Sequence, residues 1–443
     1  MLRIKIKRLA QLLGCVLLVS APMGCTASAG AGATGGSTSA DVAGATGDSA
    51  AAADGCGTKC EPGPSCDDGK LNGSETAIDC GGTCAPCAVG SACKATTDCA
   101  TTLCRKAICR KPGWILGKGG DLTAADITVV VKSKLSVPSA LAFNPAVNGE
   151  LWVVSRGDGS LAIVQGATGD VPVSVTRYRD ETMHFLEKAV AIAFSDNATF
   201  GTCGDTRNDY GGKGVANDFM GPVLWPALAE DFVNYGPDAA KVHLDMMHDT
   251  PQCMGIAAIS GNKYYAFNGK IGAIDMYEFG TPHPHGADVH EDGVKMRFAG
   301  LGLKRVASVP SQLFYDSATG MLWIADTGNG QIMRLDTTSG QAATTKLKLY
   351  PNEVAMTVRN NAALEYVAGG LDQPSGLVRH EGILYVSEAG SGRILAITPS
   401  GDLANVIDTK LGPGVLGGLA VGPDDRLYFV DRKGNRVLRL DIL

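Results

Sequence analysis

The residues best suited to chemistry in this chain are its histidines, of which six of the seven fall between residues 184 and 290. His184 and His248 each stand eight residues before the central apolar residue of a recurring strand pattern, Ile192 and Ile256. They therefore occupy the same place in consecutive repeats. Neutral imidazoles that converge on one point are the usual ligands of Zn²⁺ or Cu²⁺, and neighbouring carboxylates extend the choice to Ca²⁺. The pair predicts a divalent metal site; the alternative is that both are ordinary hydrogen-bonding residues.

A third ligand is expected from a segment rich in histidine and acidic residues at 283–292. We expect that segment to connect the third repeat to the fourth and to supply His285 or His290. Arg305 stands at the same offset from the next repeat as the two histidines. A charged guanidinium cannot bind a metal, but it can hold a carboxylate or a developing oxyanion beside one. Arg305 is therefore the predicted catalytic cation.

A pattern that recurs six times after residue 137 positions these residues. Its clearest copy is 309–340, in which short apolar segments alternate with turns built from Gly, Asn and Asp, as in antiparallel hairpins. The copies are centred on Leu141, Ile192, Ile256, Leu313, Leu377 and Leu419. One copy cannot bury both of its faces, so six copies at this spacing predict an all-β, six-bladed β-propeller over residues 114–443.

The run ITVVVKSKL at 127–135 belongs to none of the six copies. The last copy ends at Leu443 without an outer strand. We expect this early run to complete the last blade, because a closed ring removes exposed strand edges.

The segments ADTGNGQIMRLD, SEAGSGRILAI and VDRKGNRVLRLD resemble the second half of NHL repeats, and the resemblance extends over 137–443. It implies a propeller that binds a protein, a peptide or a small molecule at its rim. That rim would comprise an insert between blades 2 and 3, Asp205 to His248, and the histidine-rich connection.

The chain is also similar to the peptidyl-hydroxyglycine amidating lyases, which are six-bladed NHL-like propellers with a three-histidine zinc site, a tyrosine base and an arginine. That likeness implies zinc held by His184, His248 and either His285 or His290, with Arg305 as the cation. The candidates for the base are Tyr210, Tyr264 and Tyr265. A metal-dependent lyase or hydrolase is therefore the alternative to a binding module.

Residues 1–25 combine four basic residues with an apolar run, which is typical of an export signal. The Gly24-Cys25 step resembles a bacterial lipoprotein cleavage site and implies a lipid on Cys25; the alternative is plain secretion. Residues 26–55 are rich in Ala, Gly and Ser and predict a disordered tether. The expected location is the cell envelope, as an outer-membrane lipoprotein or a secreted protein, with the lipid as the only membrane contact.

Residues 56–111 contain ten cysteines, with no aromatic residue between the first and the last of them. So little apolar volume requires covalent links, and the even number predicts five disulfides whose pairing the sequence leaves open. The segment resembles a cysteine-rich module at the front of many exported bacterial surface proteins. Two alternatives are a zinc knuckle at Cys84 and Cys87 and a Ca²⁺ site in its acidic loop. Cys203 and Cys253 are the cysteines of the propeller and are expected to form a disulfide.

Charge and motifs exclude several functions. The chain carries a formal net charge of -6, and loss of the basic export signal makes the remainder more acidic. An acidic surface argues against nucleic acid, whose binding depends on phosphate neutralisation. The sequence contains no Walker motif and no GxSxG serine, and its GxGxxG matches do not open a helix. We expect a monomeric binding module with a candidate metal site.

Overall fold

The structure, a computed structural model, describes residues 65–207, 218–287, 292–349 and 353–442. Those ranges are nearly all β and form the six-bladed propeller that the sequence predicts. Their one α-helix is Ala229–Asn234 (α1). No helix in these ranges has the length and apolar character needed to cross a membrane. The predicted export signal, the tether, Cys25 and His290 lie outside the described residues.

Four short strands precede the first blade. Cys104–Arg105 (β1) and Ile108–Cys109 (β2) form a hairpin in the cysteine-rich module. Gly120–Asp121 (β3) and Ile127–Val131 (β4) follow, and both pair with strands from the end of the chain. The 3-10 turns of this region are Thr96–Asp98, Trp114–Leu116 and Ala124–Asp126.

The first three blades follow in chain order, each with its inner strand first. Blade 1 consists of Pro138–Phe143 (β5), Leu151–Ser155 (β6), Ser160–Gln165 (β7) and Ser174–Arg179 (β8). Blade 2 consists of Ala189–Phe194 (β9), Thr199–Gly204 (β10), Val223–Pro226 (β11) and Asp245–Met246 (β12), with α1 and a 3-10 turn at Ala239–Val242 between the last two. Blade 3 begins with Cys253–Ser260 (β13), Lys263–Asn268 (β14), Ala273–Glu278 (β15) and Val294–Phe298 (β16).

The last three blades complete the ring. Blade 4 consists of Leu313–Asp316 (β17), Met321–Asp326 (β18), Gln331–Asp336 (β19) and Leu364–Gly369 (β22). Blade 5 consists of Pro374–His380 (β23), Ile383–Glu388 (β24), Arg393–Ile397 (β25) and Leu403–Asp408 (β26). The short strand β3 pairs with β26 as a fifth, outermost strand. Blade 6 consists of Leu416–Val421 (β27), Leu427–Asp431 (β28) and Arg436–Leu440 (β29), with β4 outermost.

The two ends of the ring are defined by the directions of the strands. The mouth is the end at which the inner strands begin. The connections from each second strand to each third strand also lie at the mouth. The opposite end is the base, with the turns from first to second strand. Because both faces of every blade are covered by neighbours, strands such as β6 and β24 are buried at every position. This explains their continuous apolar sequence.

Ring closure follows the sequence prediction. β4 pairs antiparallel with β29, with Val131 opposite Val437 and Ile127 opposite Leu440. The inner strands of blades 6 and 1 then lie in contact, as do those of all other neighbouring blades. Val130 and Val131 are buried in the core shared by these two blades.

Two expectations about long connections are wrong. Residues 279–293 join β15 to β16 within blade 3 and do not lead to blade 4, and 205–248 holds the outer half of blade 2 and is not an insert between blades. The true extension lies between β19 and β22 of blade 4. Its strands Gln341–Ala342 (β20) and Met356–Asn360 (β21) cross to the outer edge of blade 3, where β21 runs parallel to β16.

The module is held together by disulfides and contacts the base. Its pairs are Cys66–Cys84, Cys80–Cys87, Cys93–Cys104 and Cys99–Cys109, and the other two cysteines lie outside the described residues. A zinc knuckle is therefore wrong, because both of its cysteines are bridged elsewhere. Glu381, in the base turn of blade 5, accepts hydrogen bonds from Arg105 and from the Trp114 indole at 2.9 Å.

Neighbouring blades are joined near the mouth by short polar contacts. The hydroxyls of Ser139, Thr327 and Ser387 each donate at 2.6 Å to a carbonyl of the next blade. Between blades 2 and 3 the equivalent link is covalent, since Cys203 and Cys253 form the expected disulfide. Disulfides persist in oxidising compartments, so the described bridges belong to an extracytoplasmic protein.

Removal of β4 should destabilise the propeller. A truncated chain that begins at Val137 loses β4, leaves β29 as an open edge and exposes the apolar side chains that β4 covers. We expect a lower denaturant midpoint than for a chain that begins at Thr123, which lacks the module but keeps β4. Urea unfolding followed by tryptophan fluorescence measures both. Equal midpoints would show that β4 does not close the ring.

Candidate functional site

Charged side chains from four parts of the chain meet at the mouth, close to the axis. Asp205 accepts hydrogen bonds from Arg305 Nη1 at 3.0 Å, Arg156 Nη2 at 3.3 Å and the backbone N–H of Ser308 at 2.9 Å. The carbonyl of Ser308 in turn accepts a hydrogen bond from Arg432. We call these five residues the mouth cluster. Its members come from blades 1, 2 and 6 and from the connection between blades 3 and 4.

Three members of the mouth cluster occupy one repeated position. In every blade the second strand ends at the mouth, and the next residue begins the connection to the third strand. That residue reads Arg156, Asp205, Gly269, Thr327, Ala389 and Arg432 in blades 1 to 6. Sequence reasoning identified Arg305 but missed Arg156, Asp205 and Arg432, although a residue-by-residue alignment of the six second strands would have shown them.

The backbone leaves room for the arginine side chains. A Cβ on Gly269 would lie 2.5 Å from Cδ of Arg305, and a Cβ on Gly417 would lie 3.0 Å from Cδ of Arg432. Each glycine thus makes space beside the stem of a guanidinium. The side chains of Arg156 and Arg305 remain 22% and 21% exposed, whereas Arg432 is 9% exposed.

Electrostatics within the mouth cluster are unbalanced. Burial and the neighbouring Arg156 guanidinium both lower the pKa of Arg432. The Nε atoms of Arg156 and Arg432 are buried without a hydrogen-bond partner among the described residues. Asp205 is the one carboxylate that forms ion pairs with this group of arginines in the described structure.

The central channel has a different character. A cavity of about 320 Å³ is lined by the inner strands of all six blades, and apart from Gln312 and Tyr315 its lining is apolar. The Gln312 side chain accepts hydrogen bonds from the N–H groups of Leu377 at 3.0 Å and Leu419 at 3.3 Å. That amide therefore fastens blade 4 to blades 5 and 6 at the channel wall.

His184 and His248 lie on their connections away from the axis. The backbone N–H of His184 donates to Asp180 at 2.8 Å, and its ring packs edge-on against Phe185. His248 is buried, stacks on Phe219 and has Nδ1 2.5 Å from Glu353 Oε1. Each connection runs from the outer strand of one blade to the inner strand of the next. The shared spacing of eight residues before the inner-strand anchor therefore places both histidines on equivalent connections. It does not bring their side chains to the central channel.

The surroundings of His248 form a buried ion network beside the outer strand of blade 3. Lys295 of β16, with no exposed side-chain surface, lies 2.5 Å from Asp249 and 3.2 Å from Glu353. Arg297 of the same strand lies 2.6 Å from Asp275. Each cation here therefore contacts at least one carboxylate, unlike Arg432 of the mouth cluster. Removal of one partner from such a buried pair leaves an uncompensated charge and is strongly destabilising.

The remaining predicted site residues lie elsewhere. His285 stacks on Tyr235 and approaches Asp231 of α1, on the connection that starts and ends at the base end of blade 3. Tyr264 and Tyr265 are buried near the base end of β14, and burial raises the pKa of both phenols. The other candidate base, Tyr210, lies outside the described residues.

The predicted metal ligands do not form a three-ligand group within the described ranges. There, the groups of three His, Cys, Asp or Glu ligand atoms within 4.8 Å of one another are both in the module, where the cysteines are disulfide-bonded. In the acidic loop of the module, Asp68, Glu75 and Asp79 accept hydrogen bonds from nearby backbone N–H groups. These residues therefore have a local structural role, and the calcium site remains a prediction.

Comparison with known proteins gives distant structural likenesses. No family model matches the chain, and no curated protein matches it. An auxiliary nutrient binding protein from Bacteroides thetaiotaomicron is 10% identical, with 71% of this chain and 75% of that chain covered and a TM-score of 0.48. A virginiamycin B lyase from Staphylococcus aureus, solved as an inactive variant with quinupristin, is 13% identical over 71% of this chain and 84% of that chain, with a TM-score of 0.41.

A glutaminyl cyclase from Myxococcus xanthus is 16% identical over 59% of this chain and 92% of that chain, with a TM-score of 0.32. Likeness at these identities and TM-scores carries no information about ligand or reaction. The relation to NHL repeats remains a resemblance of sequence.

Asp245, close to the ion network, should make stability depend on pH. Burial raises the pKa of this carboxyl to about 7, and the charges of Asp292 and Glu353 add to the rise. Because the folded-state pKa of Asp245 lies above the unfolded value of 3.8, protonation of Asp245 favours the folded state. This contribution to the free energy of unfolding is fully present below pH 3.8 and is lost as the pH rises to about 7. In the wild type the free energy of unfolding should fall by up to about 1.4 kcal/mol per pH unit in this range, and Asp245→Asn should not show that fall.

The measurement is the free energy of unfolding of wild type and Asp245→Asn across this pH range. Subtraction isolates Asp245, because Asp249, whose pKa is also raised by burial, is present in both proteins. Parallel curves would contradict the prediction.

Proposed function

We propose that this protein is an exported binding protein whose propeller holds its ligand at the mouth. The observation that carries the proposal is the mouth cluster, in which charged side chains distant in sequence converge at one end of the ring. Export is supported by the disulfides and by the signal-like N-terminus. Attachment through a lipid on Cys25 is part of the same proposal.

The charged residues of the mouth are not required by the fold. At the repeated position after the second strand, blades 3, 4 and 5 carry Gly269, Thr327 and Ala389, and these blades form a short turn like those of blades 1 and 6. Blades 1, 2 and 6 place ions there, and partial burial of an ion costs free energy that a small side chain avoids. Departures from the local rules of a fold are expected at functional sites.

The base is the less available end. Its turn in blade 5 binds the module through Glu381, and Lys106 of the module donates at 3.2 Å to the Asp424 carbonyl in the corresponding turn of blade 6. Trp114 lies beneath Lys106 and Arg110 in this contact. The mouth, by contrast, keeps two partly exposed arginines at the axis.

A ligand of the mouth should be blocked by bulk placed there and not by bulk at the base. Ala307 is exposed beside Ser308 on the connection to blade 4, and Ala318 is exposed in the base turn of blade 4. We expect a panel of organic acids, amino acids, peptides and sugars to contain a ligand that raises the melting temperature of wild type. Ala307→Trp should lose that shift, and the control Ala318→Trp should keep it.

Hydrogen exchange with the same ligand locates the site independently. Protection should fall on the mouth turns at 156–159 and 432–435. Protection restricted to the base turns, or loss of the shift in Ala318→Trp alone, would contradict a ligand site at the mouth.

Metal-dependent chemistry is the second candidate function. The observation that favours it is the short contact between His248 and Glu353, since a carboxylate commonly orients a metal-binding imidazole. His184, His248 and either His285 or His290 remain the proposed ligands of Zn²⁺ or another divalent ion, and Arg305 the proposed cation. The described residues do not gather three such ligands, so no catalytic step is assigned.

Metal analysis tests this second candidate. Wild type equilibrated with Zn²⁺, Cu²⁺ or Ca²⁺ and then dialysed should retain a stoichiometric ion if the site exists. His184→Ala combined with His248→Ala should abolish retention, whereas His380→Ala, at the base end of β23, should not. Thermal unfolding of each variant verifies that it is folded. A wild-type protein without bound metal would remove the metal-dependent candidate and leave the binding protein unaffected.

A further inference from the structure

We infer that the mouth cluster is an anion site, in which a carboxylate or phosphate group of the ligand binds among Arg156, Arg305 and Arg432. The inference rests on the proposed function, because it names the chemical class of the ligand held at the mouth. It begins from the charges of the cluster: the guanidinium groups of Arg156 and Arg305 pair with its single carboxylate, Asp205, whereas that of Arg432 bonds only to the Ser308 carbonyl.

The surplus of positive charge is local. The chain as a whole is acidic, with a formal net charge of -6. Asp205 is shared between Arg156 and Arg305, and Arg432 has only the Ser308 carbonyl as a hydrogen-bond acceptor within the described ranges. Other buried cations of the described structure, such as Lys295 and Arg297, are matched by carboxylates. Arg432 at the mouth thus lacks the carboxylate partner that Lys295 and Arg297 have.

Arg432 is the strongest indication of a missing anion. It is nine-tenths buried, its Nε has no partner among the described residues, and it lies close enough to Arg156 for their charges to repel. A buried cation without a counter-ion is costly, and an arriving anion would relieve both the repulsion and the unpaired donors. Stability alone would favour a second acid or a neutral side chain at this position.

The geometry suits a planar or tetrahedral oxyanion. A guanidinium presents its donors in a rigid fork that matches two oxygens of a carboxylate or phosphate. The donors come from three separate segments, and Gly269 and Gly417 leave space for two of the side chains. Carboxylates and phosphates share this chemistry, so the two sources must be separated by experiment.

Calorimetric titration of the mature chain with succinate and, separately, with inorganic phosphate distinguishes them, with glucose as a neutral probe. We expect one of the two anions to bind, more weakly at high salt because surface charges are screened. Arg156→Gln and Arg432→Gln should each weaken binding at least about tenfold, the effect of losing one charge-assisted hydrogen bond. Arg334→Gln, which removes a partly exposed arginine of β19 that is paired with Glu365, should have no effect.

Asp205→Asn gives a result of opposite sign. It removes the competing carboxylate while keeping an oxygen acceptor, so it should tighten anion binding severalfold. A purely structural role for the cluster does not produce that gain. Arg156 is partly exposed, so its variant remains informative even if Arg432→Gln fails to fold, which thermal unfolding would reveal.

Absence of binding by both anions, or binding unchanged in Arg156→Gln and in Asp205→Asn, would overturn the inference. The proposed function can survive that outcome: a neutral ligand from the panel that Ala307→Trp blocks would show a mouth site without an anion requirement. Conversely, anion binding that is unchanged in these cluster variants but is lost in Ala318→Trp, at the base end of the ring, would overturn both the anion site and the proposed function.

Discussion

The pairing of β4 with β29 is the contact on which the rest of the molecule depends. It joins a strand from the start of the propeller to a strand at its end and so brings blade 6 against blade 1. Arg432 and Arg156 belong to those two blades, far apart in sequence, and become neighbours only because the ring is closed. The fold and its candidate site therefore share one structural cause, and a propeller that opened at this seam would lose the mouth cluster before it lost most of its sheets.

Around the axis, the blades are held in register by a layer of small polar contacts. Hydroxyls from Ser139, Thr327 and Ser387 reach a carbonyl of the next blade, and Gln312 joins three blades at once. These bonds satisfy buried backbone groups and fix the ends of the second strands. In blade 1 the Ser139 hydroxyl also lies 3.1 Å from the Val154 carbonyl, two residues before Arg156, so this layer supports the strand end that carries one arginine of the mouth cluster. The inner polar contacts thus help to fix the position of the mouth cluster.

Sequence periodicity was sufficient for the architecture. Six apolar anchors gave the number of blades, the unassigned run at 127–135 gave the closing strand, and two remaining cysteines gave a bridge. The long connections could not be placed, because hydrophobic period fixes strands but not the path of the chain between them. The sequence pattern consequently predicts the wrong junction for residues 279–293, and it predicts His285 at the rim although His285 packs beside α1. It does not reveal Arg156 and Asp205, because repeats aligned on their inner strands leave the ends of the second strands unaligned.

The disulfide between Cys203 and Cys253 has a consequence for the mouth. Cys203 lies two residues before Asp205, so the carboxylate that receives two arginines stands on a strand end tied covalently to the next blade. Three other blade pairs are linked by a hydroxyl hydrogen bond that thermal motion can break and re-form, whereas this link is permanent as long as the compartment is oxidising. Reduction would leave the ring closed through β4 but would release the strand end that carries Asp205 from its covalent link to blade 3.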